Sequence, residues 1–278
     1  MLAQVHPILF HIGPVFIPSY GAFTALGVVL GLVLALRTAR MAGVASGSLW
    51  NLCIVALFTA LVGSRLLLVL VNWAVLRSHP SWLFGLAMVH HPLLAAVGSA
   101  LALLAGLLYA RHYAMPFFST ADALAPPLAL GLACEQFGSL LAGSGFGTSA
   151  RVGWAIVYTS PFAARWSGTP LGIPLHPVQA YSGVAFLTIA LLLLVLLPGR
   201  AQRGDIAGLW LLLSGSAIYF TEFWRDPFGR GLVLHGALDG PQIAAIALVL
   251  LGGLVLLQRA TPSAAPALEP ASPEAPHA

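Results

Sequence analysis

Residues Leu49–Leu76 read LWNLCIVALFTALVGSRLLLVLVNWAVL, with a single charge, Arg65, near the middle. A helix that crosses the hydrocarbon of a bilayer needs about 20 mostly apolar residues. This stretch exceeds that length, and a surface helix of a soluble domain is apolar on one stripe only. Six further stretches of the same kind flank it: Ile17–Leu36, Leu93–Ala110, Ala123–Ala142, Val178–Leu197, Ile206–Phe223 and Pro241–Leu257. Together they predict an all-α polytopic membrane protein of about seven transmembrane helices. The composition agrees. Of 278 residues, 59% are apolar and 7% charged, whereas soluble domains carry about 25% charged residues. Those values exclude a soluble enzyme, a disordered chain and a nucleic-acid-binding protein.

The remaining segments organise the chain as residues 1–142, with the first four spans; 143–177, a small extramembrane head; 178–258, the last three spans; and 259–278, a Pro/Ala/Ser/Glu-rich disordered tail. The head is rich in Gly, Pro, Ser and Thr, and Arg151–Tyr158 alternates enough to predict a strand. Asp122 and Asp205 open apolar runs, and Asp122 reads as a helix N-cap. All twelve basic residues are arginine, and they gather at span ends. Arg37, Arg40, Arg111, Arg200, Arg203 and Arg259 follow spans 1, 3, 5 and 7; Arg77, Arg225 and Arg230 lie near the opposite ends. Basic residues favour the cytoplasmic side. The N-terminus and head are therefore expected outside and the C-terminus inside. Met1–Phe16 has no basic residue before its apolar stretch and does not read as a cleaved signal peptide. Cys53 and Cys134 both sit in apolar runs and predict neither a disulfide nor a zinc site.

Ionisable side chains within spans cost about 2.5–3.5 kcal/mol on insertion scales, so each needs a partner, water or a function. Arg65 lies within span 2, Glu135 and Gln136 within span 4, and Glu222, Arg225 and Asp226 close span 6. One reading pairs Arg65 with Glu135 and, at i,i+3 spacing, Glu222 with Arg225 as purely structural contacts. The other is a polar cavity for an anionic head group, which the planar guanidinium fork suits. Tyr20 reads as an interfacial anchor or a site residue. His176-Pro177, with Gln179 and Tyr181, opens span 5 as a turn or as part of a site. His90-His91-Pro92 reads as an interfacial turn rather than a metal site, and His235 as an outer-loop residue. Gly143–Gly147 reads as a re-entry turn or, through backbone N–H groups, an anion cradle. Tyr20, His176, Gln179, Glu222 and Arg225 all fall at outward helix ends beside the head.

The order of these motifs resembles the prolipoprotein diacylglyceryl transferases of bacterial inner membranes over nearly the whole chain. Ile12-Gly-Pro-Val-Phe-Ile-Pro-Ser-Tyr-Gly21 is similar to the family's opening "LGP…WYG", Gly63-Ser-Arg65 to its "GGR", and Asp122-Ala-Leu-Ala-Pro126 to its "D…AP". His176-Pro-Val-Gln-Ala-Tyr181 resembles "HPSQLYE", Glu222-Phe-Trp-Arg-Asp-Pro227 resembles "EFFRQPD", and Gly240-Pro-Gln242 resembles the "GQ" of the last span. There are departures. The family's span 3 histidine falls on Ala96, with His90 and His91 nearby. Its "RxGNFxNGE" reads Gln136-Phe-Gly-Ser-Leu-Leu-Ala-Gly-Ser144 here, so Gln136 replaces an arginine. The glutamate after "HPSQLY" is Ser182.

The resemblance implies transfer of a diacylglyceryl group from phosphatidylglycerol to the thiol of a lipobox cysteine, with no metal or organic cofactor. Its partners would be phosphatidylglycerol, membrane lipid and the signal helices of prolipoproteins, at the inner membrane. Such a step needs a thiolate, cations for the departing phosphate and a lateral opening. Arg225 and Arg65 are candidates for phosphate, Tyr20 and Tyr181 for hydrogen bonding, and Glu222 for orienting Arg225. Gln179 is a substrate-binding candidate, and His176 is this chain's own candidate base. The alternative is a catalytically inactive lipid-binding relative that keeps the fold. A small transporter fits less well, because few charges lie at depth and no inverted repeat is evident.

Overall fold

The computed structural model describes residues 7–12, 15–78, 92–227 and 238–260. Each of the seven apolar stretches is largely helical, although Leu49–Leu76 is broken at Asn72 into a long helix and a short one. In chain order these are α1 (Ser19–Ala42), α2 (Ser46–Val71), the short α3 (Trp73–Ser78), α4 (Pro92–His112), α5 (Phe117–Ala142), α6 (Pro161–Ser167), α7 (Val178–Leu196), α8 (Asp205–Glu222) and α9 (Gly240–Ala260). Five of them, α1, α2, α5, α7 and α9, are long and apolar enough to cross a membrane, and Ala96–His112 of α4 is a shorter apolar helix. Large apolar side chains face outward along them, Val195, Leu70 and Leu257 among them. In water that surface would aggregate; in lipid it is the solvated face. The chain is a multi-pass membrane protein.

The helices form a bundle around α5. This helix packs most extensively on α1, then on α7, and also on α8; α8 in turn packs on α9, and α2 on α4. Small buried residues, Ala123, Ala125, Ala129 and Ala133, let the neighbours approach α5 closely. The Thr38 hydroxyl of α1 donates to the Ala123 carbonyl at 2.7 Å. Pro126 and Pro127 lie inside α5, buried.

Three expectations need correction. Asp122 is not an N-cap of its own helix, because α5 begins at Phe117, five residues earlier. Its carboxylate, fully buried, instead caps α8: Oδ2 accepts from Gly204 N at 2.7 Å and Oδ1 from Ala207 N at 2.9 Å. Arg200, expected as a topology signal alone, pairs its Nε with Asp122 at 3.3 Å and donates to the carbonyls of Met41, Ala42 and Leu197. One ion pair thus ties together the ends of α1 and α7 and the start of α8. In the head, the strand expected over Arg151–Tyr158 shrinks to β3 (Ile156–Val157), paired with β4 (Pro174–Leu175), and α6 lies between them. A further hairpin, β1 (Ile8–Ile12) against β2 (Val15–Pro18), precedes α1. His90, His91, Arg230, His235 and the tail 261–278 lie outside the described residues.

Candidate active site

Helix α8 stops at Glu222, just ahead of Asp226-Pro227, where the residue before proline disfavours helical geometry. The turn that follows folds Arg225 inward. Its Nε donates to Glu222 Oε1 at 2.9 Å, Nη1 to the Gly145 carbonyl at 2.7 Å, and Nη2 to Ser182 Oγ at 3.4 Å. The i,i+3 pairing expected from sequence is present, and both partners are buried. Three guanidinium N–H groups are engaged. A guanidinium carries five N–H donors, so capacity beyond these three contacts remains.

The glycine run Gly143–Gly147 supplies the floor beneath this arginine. Gly145 has φ +62°, and a Cβ there would stand 2.7 Å from Arg225 Nη1. A Cβ on Gly147 would overlap the His176 carbonyl and come within 2.7 Å of the Trp224 carbonyl. The loop is therefore threaded between two backbones that only glycine admits. Hydrogen bonds hold it on both sides: Thr148 N to Trp224 O at 2.8 Å, Asp226 N to Phe146 O at 3.2 Å, and His176 N to Thr148 O at 3.0 Å. Of the two sequence readings of this run, the turn accounts for these contacts.

The same loop brings the start of α7 to Arg225. Gln179 is fully buried and donates to the Ser144 carbonyl at 2.8 Å. His176 Nδ1 lies 3.3 Å from the Tyr181 hydroxyl, which also accepts from Trp154 Nε1 at 2.7 Å. The Tyr181 ring meets Trp224 edge-on with centroids 6.1 Å apart. His176, Gln179, Tyr181, Glu222 and Arg225 thus share one end of the bundle. Tyr20, at the start of α1, reaches the same end through α5: Gly138 packs on the Tyr20 backbone, and the phenol is in hydrogen-bonding range of Glu135. Arg65 stands apart, with its side chain exposed, on a helix that packs chiefly on α4 and α1.

Glu135 takes hydrogen bonds from Gln136 Nε2 at 2.6 Å and Ser139 Oγ at 2.9 Å. With Asp239 it acts electrostatically on Arg225: burial pulls the guanidinium below its ordinary value, and these two carboxylates push it back up. Sequence reading missed Asp239 and the Gly145 carbonyl. The signal for Asp239 was present, since Asp239-Gly-Pro-Gln242 has capping-box spacing. The Gln242 N–H donates to Asp239 Oδ1 at 2.8 Å, and Gln242 Oε1 accepts from Asp239 N at 3.1 Å. Tyr158 braces the head beneath: its phenol, raised above the ordinary value by burial, stays protonated and donates to the Leu140 carbonyl at 2.9 Å.

Comparison with known proteins converges on one family. The family model described as prolipoprotein diacylglyceryl transferase matches residues 7–258. A phosphatidylglycerol–prolipoprotein diacylglyceryl transferase of Oleidesulfovibrio alaskensis is 30% identical over 264 residues, covering 90% of this chain and 91% of the relative. Transferase 2 of Clostridium perfringens is 27% identical over 242 residues, 86% of this chain and 89% of its own length. The Vibrio cholerae enzyme is 27% identical over 263 residues, 91% of each. With nearly its whole length matched, this chain belongs to the prolipoprotein diacylglyceryl transferase family.

Proposed function

We propose that the protein transfers the diacylglyceryl group of phosphatidylglycerol to the lipobox cysteine of prolipoproteins, whose apolar signal helices reach it laterally within the inner membrane. The N-terminus and head lie on the periplasmic side and the C-terminus in the cytoplasm, as the arginine distribution favours. The single observation that carries the reading is the buried guanidinium of Arg225 at the end of the bundle, held by Glu222 and the Gly145 carbonyl. A planar, charged guanidinium suits the oxygens of a phosphodiester. A catalytically inactive lipid-binding relative is not favoured, because the named relatives carry the transferase name.

The thiol sulfur attacks the glyceryl carbon that bears the phosphate oxygen. A C–S bond forms, the C–O bond breaks with its electron pair passing to the phosphate oxygen, and glycerol phosphate departs. Arg225 stabilises the charge that grows on that oxygen, the kind of contact whose removal costs about 10²–10³ in rate. His176 accepts the thiol proton at Nε2. In the tautomer this requires, Nδ1–H donates to Tyr181, whose oxygen already accepts from Trp154, so the ring is oriented from behind. Tyr20 and Gln179 line the head-group side, and Arg65 meets lipid phosphate from its exposed position on α2.

Complementation tests the reading. A strain depleted of its own transferase is expected to grow when this protein is expressed and to fail with Arg225→Ala at equal membrane abundance. Failure of the wild-type protein despite good membrane expression would reject it.

A further inference from the structure

Near Arg225 the bundle holds a carboxylate, Glu135, and two buried amide oxygens. Glu135 is half-buried in α5, and its carboxylate takes bonds from the neutral donors Gln136 and Ser139. The Gln136 Oε1 atom is buried and has no hydrogen-bond partner among the described residues. The same holds for Oε1 of Gln179, a residue fully buried and tethered by its Nε2 to Ser144, next to the Gly145 carbonyl that Arg225 engages. Phe137 packs on Gly183 of α7, Ser182 contacts Arg225, and Glu135 acts electrostatically on Arg225, so this stretch of α5 and the start of α7 meet beside that arginine. Buried acceptors without donors are costly unless a ligand supplies them.

We infer that Glu135, with the carbonyl oxygens of Gln136 and Gln179, is the part of the site that reads the lipid's head group, accepting hydrogen bonds from donor groups beyond the phosphate that Arg225 holds. This rests on the transferase reading for the identity of the lipid; the chemistry itself requires only a phospholipid whose head group carries hydroxyl or ammonium donors. A site built around a buried acceptor rejects an analogue that lacks the donor, because the acceptor is then left unpaired. Glu135 would therefore set specificity by contact with the leaving head group, apart from any part in forming the thiolate.

The test uses the full-length protein in detergent micelles, with lipid retention read by native mass spectrometry. Three lipids with matched acyl chains are compared: phosphatidylglycerol, phosphatidylethanolamine and phosphatidylmethanol. The last has the charge of phosphatidylglycerol but no head-group donor. The wild type is expected to prefer a donor-bearing lipid over phosphatidylmethanol by roughly ten- to a hundredfold. Glu135→Gln, close in shape, is expected to lose most of that preference while still binding phosphate. A preference for phosphatidylglycerol identifies hydroxyls as the donors read, and a preference for phosphatidylethanolamine identifies the ammonium; either upholds the role. Equal retention of all three lipids by the wild type overturns it, as does an unchanged preference in a folded Glu135→Gln protein. Should the variant fail to fold, the wild-type comparison still decides. Thioether formation on a lipobox peptide is followed in parallel. Selective retention without thioether would reject the transferase and leave the head-group role standing; thioether made equally from phosphatidylglycerol and phosphatidylmethanol, with equal retention, would do the reverse.

Discussion

Replacing Asp122 with alanine should destabilise the bundle without touching the site. The carboxylate is fully buried and holds three donors: Gly204 N at 2.7 Å, Ala207 N at 2.9 Å and Arg200 Nε at 3.3 Å. Losing a hydrogen bond to each backbone N–H costs about 1 kcal/mol apiece. Arg200 keeps its bonds to the carbonyls of Met41, Ala42 and Leu197 and has some access to solvent, so losing its buried counter-charge adds about 1 kcal/mol more, less than a fully stranded ion would cost. The total is about 3 kcal/mol, or roughly a hundredfold in the folding equilibrium. Asp122→Asn, which retains one acceptor oxygen, should lose about half as much. Reversible unfolding in mixed micelles, followed by tryptophan fluorescence, measures both. Arg200→Met combined with Asp122→Ala should cost less than the sum of the single changes, because the two share one interaction. Asp122 lies thirteen residues from Glu135 along α5, roughly 20 Å, so the folded fraction should keep its KM for lipid. A change below about 0.5 kcal/mol for Asp122→Ala would refute the capping role, since surface substitutions alone give that much.

Other substitutions probe the site. Gly147→Ala forces a methyl against the His176 and Trp224 carbonyls, and is expected to reduce transfer at least about tenfold by parting His176 from Arg225, read by initial rates at saturating lipid. Tyr181→Phe removes the hydroxyl between Trp154 and His176; kcat should fall while KM for lipid holds, because the imidazole loses its orienting partner. Tyr158→Phe leaves the Leu140 carbonyl without its donor and should cost about 1 kcal/mol of stability, seen as a lower melting temperature with kcat unchanged.

What the sequence disclosed follows the range of the forces involved. Apolar runs report on contact with lipid at every position, so the helices of the bundle were legible. The Glu222–Arg225 pair was legible because i,i+3 spacing is local. Asp122 was misread because an acid before an apolar run looks like a cap for the helix it precedes, whereas its carboxylate caps α8, more than eighty residues away; nothing local encodes that. The run Gly143–Gly147 announced a turn, but not that His176 and Trp224 flank it. Some signals were present and unused. Ile8–Ile12 and Val15–Pro18 are β-branched and aromatic around Gly13-Pro14, a hairpin pattern. Pro161 at the first position of α6 and Gly168 after its end are helix punctuation.

On the proposed mechanism, Arg225 holds the lipid phosphate while a lipobox thiol displaces it. Purified protein in phosphatidylglycerol vesicles, given a lipobox peptide with a single cysteine, tests this most directly through the mass of the peptide and the glycerol phosphate released. One diacylglyceryl thioether per peptide is expected with glycerol phosphate in equal amount, and a loss of about a hundredfold or more for Arg225→Lys, which keeps the charge but not the planar guanidinium. No thioether from the wild type, or undiminished transfer by Arg225→Lys, would contradict it.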